Sequence, residues 1–168
     1  MVDVIEIPKI DGSRLRESFP AILGGCKYFD IGAGWAMPVG QMCMTLAKLP
    51  SGSVVVRELG QKFGGLRVEF VTTGLNSEQD DFARHAKVLA EERSRFMCEV
   101  CGHMGDIRKP PEGAPAAWVF CLCHRHLPRE RRGWPMDRRT RRYRIGNFYW
   151  VYDDLLGRLR VDETGSAR

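Results

Sequence analysis

Between Cys98 and His126 the chain places two short runs of soft metal donors, and no other feature limits its fold as strongly. Cys98-Glu99-Val100-Cys101-Gly102 opens the stretch, and Cys121-Leu122-Cys123-His124-Arg125-His126 closes it. A Cys-x-x-Cys turn followed by a second pair at the same spacing is the ligand arrangement of a tetrahedral Zn²⁺ site. Gly102 tolerates the left-handed backbone that such a turn uses. Cys121 with His124 and Cys123 with His126 have identical spacing, so spacing alone does not choose the second pair. Cys121 lies inside the apolar run Ala117 to Leu122, where a thiol behaves as a small hydrophobe. The expected ligands are therefore Cys98, Cys101, Cys123 and His126. Four protein ligands leave no open position for water, so the expected zinc is structural.

Composition enters as support for metal over disulfides. No apolar run reaches the roughly 18–20 residues of a membrane span. The first ten residues carry Asp3 and Glu6 among their apolar side chains, unlike a secretory leader. A cytoplasmic protein is expected, and there six cysteines stay reduced. Hydrophobic residues at 43% suffice for a real core. The formal charge of +5 is local: from Arg125 to Arg144, nine arginines face only Glu130 and Asp137. Such a patch speaks to partners, not to fold.

The remaining pattern predicts an α+β fold: a small antiparallel sheet with a few helices, a zinc-ribbon or knuckle module and a C-terminal β-hairpin. Residues 1–97 form the α+β part, 98–126 the zinc module, and 127–168 the basic segment and hairpin, together one compact unit. Met1 to Ile10 reads as a strand or extended arm. Ser13 is placed to cap a helix from Arg14 to Phe19, which Pro20 interrupts. Val39, Met42, Cys43, Leu46 and Leu49 recur at helical spacing. Val54 to Val56 and Leu66 to Val71 read as paired strands around Gln61–Gly65, and the Phe63-Gly64-Gly65 glycines serve the turn. Ser77 and Asp80 suggest a capping box for a helix running to about Phe96, with Phe82, Ala86, Leu89, Arg93 and Phe96 on one side. Ala117 to Leu122 is expected as a strand. Gly146-Asn147 between β-favouring runs predicts a tight turn, Arg158 to Val161 a further short strand, and Asp162 to Arg168 a frayed end.

The order of these features resembles a family of small bacterial and phage proteins. The resemblance rests on Lys62-Phe63-Gly64-Gly65-Leu66-Arg67 followed by Cys98-x-x-Cys101-Gly102, Gly105, Arg108, Trp118, Leu122-Cys123 and His126. It covers about Leu15 to His126 and implies a zinc-ribbon-like module whose second pair is Cys123 and His126. The chain departs from the pattern at Gln61, where a glutamate is usual, and by its additional Cys121 and His124. No activity comes with the resemblance.

Three functions compete. In the first, a non-catalytic protein of phage or mobile-element type contacts DNA, RNA or a nucleoprotein complex through Arg129, Arg131, Arg132, Arg138, Arg139, Arg141, Arg142 and Arg144. Aromatic residues Trp134, Tyr143, Phe148, Tyr149 and Trp150 are interleaved with them or follow closely, and arginine neutralises phosphate while aromatic faces stack on bases. In the second, it is a protein–protein inhibitor or accessory factor of a host defence or transcription complex, without nucleic-acid contact. The third is a metal-dependent nuclease using His103, His124 or His126. The base histidine and asparagine that zinc-stapled nucleases place around the metal are missing from this spacing, so no enzyme activity is expected.

Overall fold

The computed structural model describes residues 5–115 and 117–163. Its architecture is α+β, with four helices and three small sheets, as the sequence pattern implies. Two short helices, α1 (Ser13–Ser18) and α2 (Pro20–Leu23), lead to β1 (Tyr28–Phe29), a 3₁₀ turn (Ala33–Trp35) and α3 (Ala36–Leu46). Strands β2 (Val54–Lys62) and β3 (Gly65–Thr72) form an antiparallel hairpin, and β1 adds to β2 in parallel. The long helix α4 (Ser77–Ser94) then delivers the chain to the cysteine module.

Alternation explains the hairpin. Val54 and Val56 of β2 are buried, a bulge at Arg57 shifts the register, and Leu59 is thereby returned to the inner face. Leu66 and Val68 of β3 complete that face, covered by α4 through Ala83, Ala86 and Ala90, and α3, packed on α4, adds Val39, Met42, Cys43 and Leu46 to the same core. Strand β2 runs further than its apolar run Val54 to Val56 suggests, because Arg57 and Glu58 occupy exposed positions that polarity does not forbid, whereas β3 exceeds Leu66 to Val71 by one residue at each end. The turn is just Phe63-Gly64, both with positive φ, 51° and 77°, as a type I′ hairpin requires.

Helix α4 departs from expectation in two ways. Its N-cap is Asn76, one residue earlier: the Asn76 side chain accepts from the Gln79 N–H, and the Gln79 side chain accepts from the Asn76 N–H. It also has two packed faces. Ala83, Ala86 and Ala90 meet the main core, while Val88 and Leu89 meet Ile145, Leu159 and Trp150 of the C-terminal sheet. Phe82 and Phe96, expected on the buried side, are exposed.

That sheet is a three-stranded antiparallel meander of β6 (Arg142–Ile145), β7 (Phe148–Asp153) and β8 (Arg158–Val161). Gly146-Asn147 makes the tight turn, with φ +59° at Gly146. Asp162, expected to fray, is instead tied back by its N–H to the Tyr149 carbonyl and by its carboxylate to Arg142 at 2.7 Å. In the cysteine module the paired elements are short: β4 (Asp106–Ile107) and β5 (Cys121–Leu122), so the expected strand over 117–122 contracts to its last two residues. Of the expected N-terminal arm, residues 1–4 lie outside the described residues. Ile5 and Ile7 pack against the cysteine module, and Lys9 bridges to Gly32. Among the described residues no helix is long and apolar enough to cross a membrane.

Candidate metal centre

The first knuckle is built by its own backbone. The Cys98 N–H donates to the His103 carbonyl at 2.7 Å, and the Gly102 N–H donates to the Cys98 carbonyl at 2.8 Å. Gly102 takes φ +74°, the left-handed conformation expected of it. The second knuckle folds the same way, with the His126 and Leu127 N–H groups both donating to the Cys123 carbonyl. An N–H bond from Glu99 to the Cys121 carbonyl brings the two knuckles face to face.

Their donor atoms converge. Those of Cys98, Cys101, Cys123 and His126 all lie within 4.8 Å of one another. His126 presents Nδ1, 3.4 Å from the Cys98 Sγ and 3.3 Å from the Cys123 Sγ. The Cys101 and Cys123 Sγ atoms are 3.8 Å apart. A tetrahedron with metal–sulfur bonds of about 2.3 Å and metal–nitrogen bonds of about 2.0–2.1 Å has edges of about 3.5–3.8 Å. The four residues therefore fit a four-coordinate ion, and the six cysteines are all free thiols. Burial opposes ionisation of Cys123, but the N–H groups of His126 and Arg125 and the thiols of Cys98 and Cys101 outweigh it and hold the thiol down at about 6. Cys98 is pushed up by its burial, against N–H groups from Cys123, Cys101 and Val100.

Cys121 and His124 stay outside. Cys121 is fully buried in the main core and donates to the Arg95 carbonyl at 3.1 Å, and burial drives its thiol strongly upward. His124 is exposed, and so is His103, whose carbonyl, not its ring, serves the first knuckle.

The seat of the module was not legible from its cysteines. Gly34 lies so close to the first knuckle that a Cβ there would stand 2.0 Å from the Cys98 carbonyl oxygen. At Gly32 it would stand 2.3 Å from the Glu99 carbonyl oxygen. The Gly34 N–H donates to the Glu99 carbonyl, and the buried Trp35 indole donates to the Met97 carbonyl at 3.0 Å. Two glycines bracketing Ala33 before a tryptophan were the available signal. On the other side Gly64 of the hairpin turn rests on Ile107 and the Phe120 backbone, and the Gln61 amide donates to the Val119 carbonyl. Glu99 is buried against Gly32 with Oε2 unpaired among the described residues, and burial pushes its carboxyl up to about 7 against the pull of Lys9.

The arginine segment is pinned. The Arg108 guanidinium donates to the Arg132 and Trp134 carbonyls, the Lys109 N–H to Pro135 and the Asp137 N–H to Ile107. Asp137, with a side chain only 4% exposed, pairs with Lys109 at 2.9 Å, Arg139 at 2.8 Å and the buried Arg95 at 3.5 Å. Arg95 in turn faces Glu92, which accepts from the Tyr143 hydroxyl.

Among the expected contact residues, Arg131 is the buried one. It is 8% exposed, donates to the Trp118 carbonyl and lies against the Phe120 and Trp134 rings, so it is a structural arginine. Arg139 and Arg142 are exposed but occupied by Asp137 and Asp162. Arg129, Arg132, Arg138, Arg141 and Arg144 are exposed and enter none of the ion pairs seen among the described residues. No family model, curated protein or solved structure matches the chain.

Proposed function

We propose that this protein is a zinc-stabilised, non-catalytic binding protein that contacts nucleic acid or a nucleoprotein complex through its arginine segment. The Cys₃His donor set suits Zn²⁺, and a closed set of four ligands gives the ion a folding role. Six free thiols accord with a reducing compartment such as the cytoplasm. The resemblance to small bacterial and phage proteins with the same motif order belongs to this reading and adds no activity to it.

One observation carries the proposal. Residues 132–137 are fastened to Ile107, Arg108 and Lys109 by backbone and guanidinium bonds, so Arg132 and the adjoining Arg138 project from a fixed frame and not from a loose linker. Fixed cations lose little conformational freedom when they meet phosphate. Filter binding of the zinc-loaded protein to DNA and RNA over a salt series tests this. Affinity should fall steeply with salt, and replacing Arg129, Arg132, Arg138 and Arg144 by Ala should flatten the dependence. Absence of binding at about 50 mM salt defeats the reading.

A second reading, an inhibitor or accessory factor docking on a host protein complex, is favoured by Trp118, which is 74% exposed beside the same segment. Association with a defined host complex that persists after nuclease digestion, with no binding to free nucleic acid, would select it.

A further inference from the structure

The β2–β3 turn carries a side chain that folding does not account for. Phe63 holds the first central position of a type I′ turn at φ +51°, where Asn, Asp and Gly are at ease and a bulky aromatic is strained. The residue is 63% exposed, so core burial does not offset the strain. A strained residue at an exposed tip points to contact with something outside the fold.

Beside that ring lies a cleft of about 240 Å³ lined by Lys62, Phe63, Arg67, Glu91, Arg95 and Arg141. Its charges are unequal in availability. Glu91 already accepts the Val68 N–H at 2.9 Å, with Lys87 at 3.9 Å. Arg95 is held by Glu92 and Asp137. Arg67 pairs with Glu69 at the surface, an exposed pair that a phosphate can replace. Lys62 and Arg141 are exposed and in no ion pair among the described residues; Arg141 reaches the Tyr143 hydroxyl, and Lys62 Nζ stands 5.5 Å from the Phe63 ring centre. Arg141 arrives from the arginine segment, so the cleft is continuous with that basic surface.

An independent feature extends the line. Gly64 abuts Phe120, the Arg131 guanidinium lies against the Phe120 and Trp134 rings at 5.9 and 4.9 Å, and Arg131 holds the carbonyl of the exposed Trp118. The buried Arg131 thus holds the exposed Trp118 in place on the side of the hairpin tip that Gly64 shares with Phe120.

We propose that this cleft binds an unpaired nucleic-acid strand, with a base stacked on Phe63 and the adjoining phosphates on Lys62 and Arg141. The proposal rests on the nucleic-acid reading above and adds the strand type and two residues outside the arginine run, Lys62 and Phe63. A duplex hides its base faces and leaves Phe63 without a partner. An acidic peptide satisfies the cations but gives the ring nothing to stack on.

Fluorescence anisotropy with a labelled oligothymidylate of about twelve nucleotides, and with a duplex of the same length, tests it. Phe63→Asn relieves the turn, so Tm should rise by roughly 2–4 °C. The same variant should bind the single strand about tenfold more weakly and the duplex within about twofold of the unaltered protein. Lys62→Ala with Arg141→Ala should make the slope of log affinity against log salt shallower by about 1.4. Unchanged strand binding by both variants, while the Arg129, Arg132, Arg138 and Arg144 replacements weaken it, overturns the cleft and leaves the arginine reading standing. Equal losses on strand and duplex, or displacement of the strand by polyglutamate as readily as by unlabelled strand, also overturn it. An unaltered protein that binds no nucleic acid removes both.

Discussion

Cys121 and Cys123 are two residues apart, and their surroundings give them opposite chemistry. Cys123 has N–H groups and thiols around it and turns into the donor cluster, whereas Cys121 has the Arg95 carbonyl and the core. Replacing Cys123 by Ala should abolish stoichiometric metal uptake, read as the metal-to-protein ratio after gel filtration. Replacing Cys121 by Ala should leave one ion bound and lower stability by about 1 kcal/mol in urea titration. Retention of metal by Cys123→Ala with loss in Cys121→Ala would reverse the ligand assignment. The apolar run around Cys121 was sufficient to choose between the pairs. The need for glycine at 32 and 34 was not, because it arises from a carbonyl contributed by a segment some sixty residues away.

Helix α4 is the element through which the parts meet. Its existence and approximate span were legible from caps and periodicity. Its two-sided packing was not, since a small residue such as Ala90 reads equally well as surface or as close contact, and nothing local told where the C-terminal sheet would dock. The docking carries a pH signature. His85 meets the Trp150 ring edge-on at 5.0 Å, and burial lowers its pKa from 6.5. The folded state then binds fewer protons than the unfolded chain, so this stability is intact above pH 6.5 and declines as pH falls below it. Denaturant midpoints across that range should slope downward into acid, and His85→Gln should flatten the slope. At the other end of the helix, Asp137→Ala removes the partner of buried Arg95 and should cost about 3–5 kcal/mol, again by urea titration. A loss below about 1 kcal/mol would mean Glu92 alone suffices for Arg95.

At the scale of the whole molecule, an ion held by these four residues would stabilise more than the knuckles around it. The first knuckle is the floor on which Gly32 to Trp35 rests, the Phe63-Gly64 turn leans on Phe120, and the arginine segment is fastened to β4. Metal binding of this kind contributes on the order of 10 kcal/mol to folding. Chelation should therefore loosen residues far from the ligands. The Trp35 indole N–H, bonded to Met97 in a fully buried site, should lose its protection from hydrogen exchange together with the amides of β4 and β5. Continued protection of Trp35 in metal-free protein would show that the α+β part stands by itself.

The contact between Gly34 and the Cys98 carbonyl also imposes an order on biosynthesis. As the chain leaves the ribosome, the Gly32–Trp35 segment emerges long before the surface it needs. The second knuckle that faces that surface, with Cys123 and His126, follows later still. On the zinc reading proposed above, the N-terminal third then waits with its tryptophan unseated until the knuckles close.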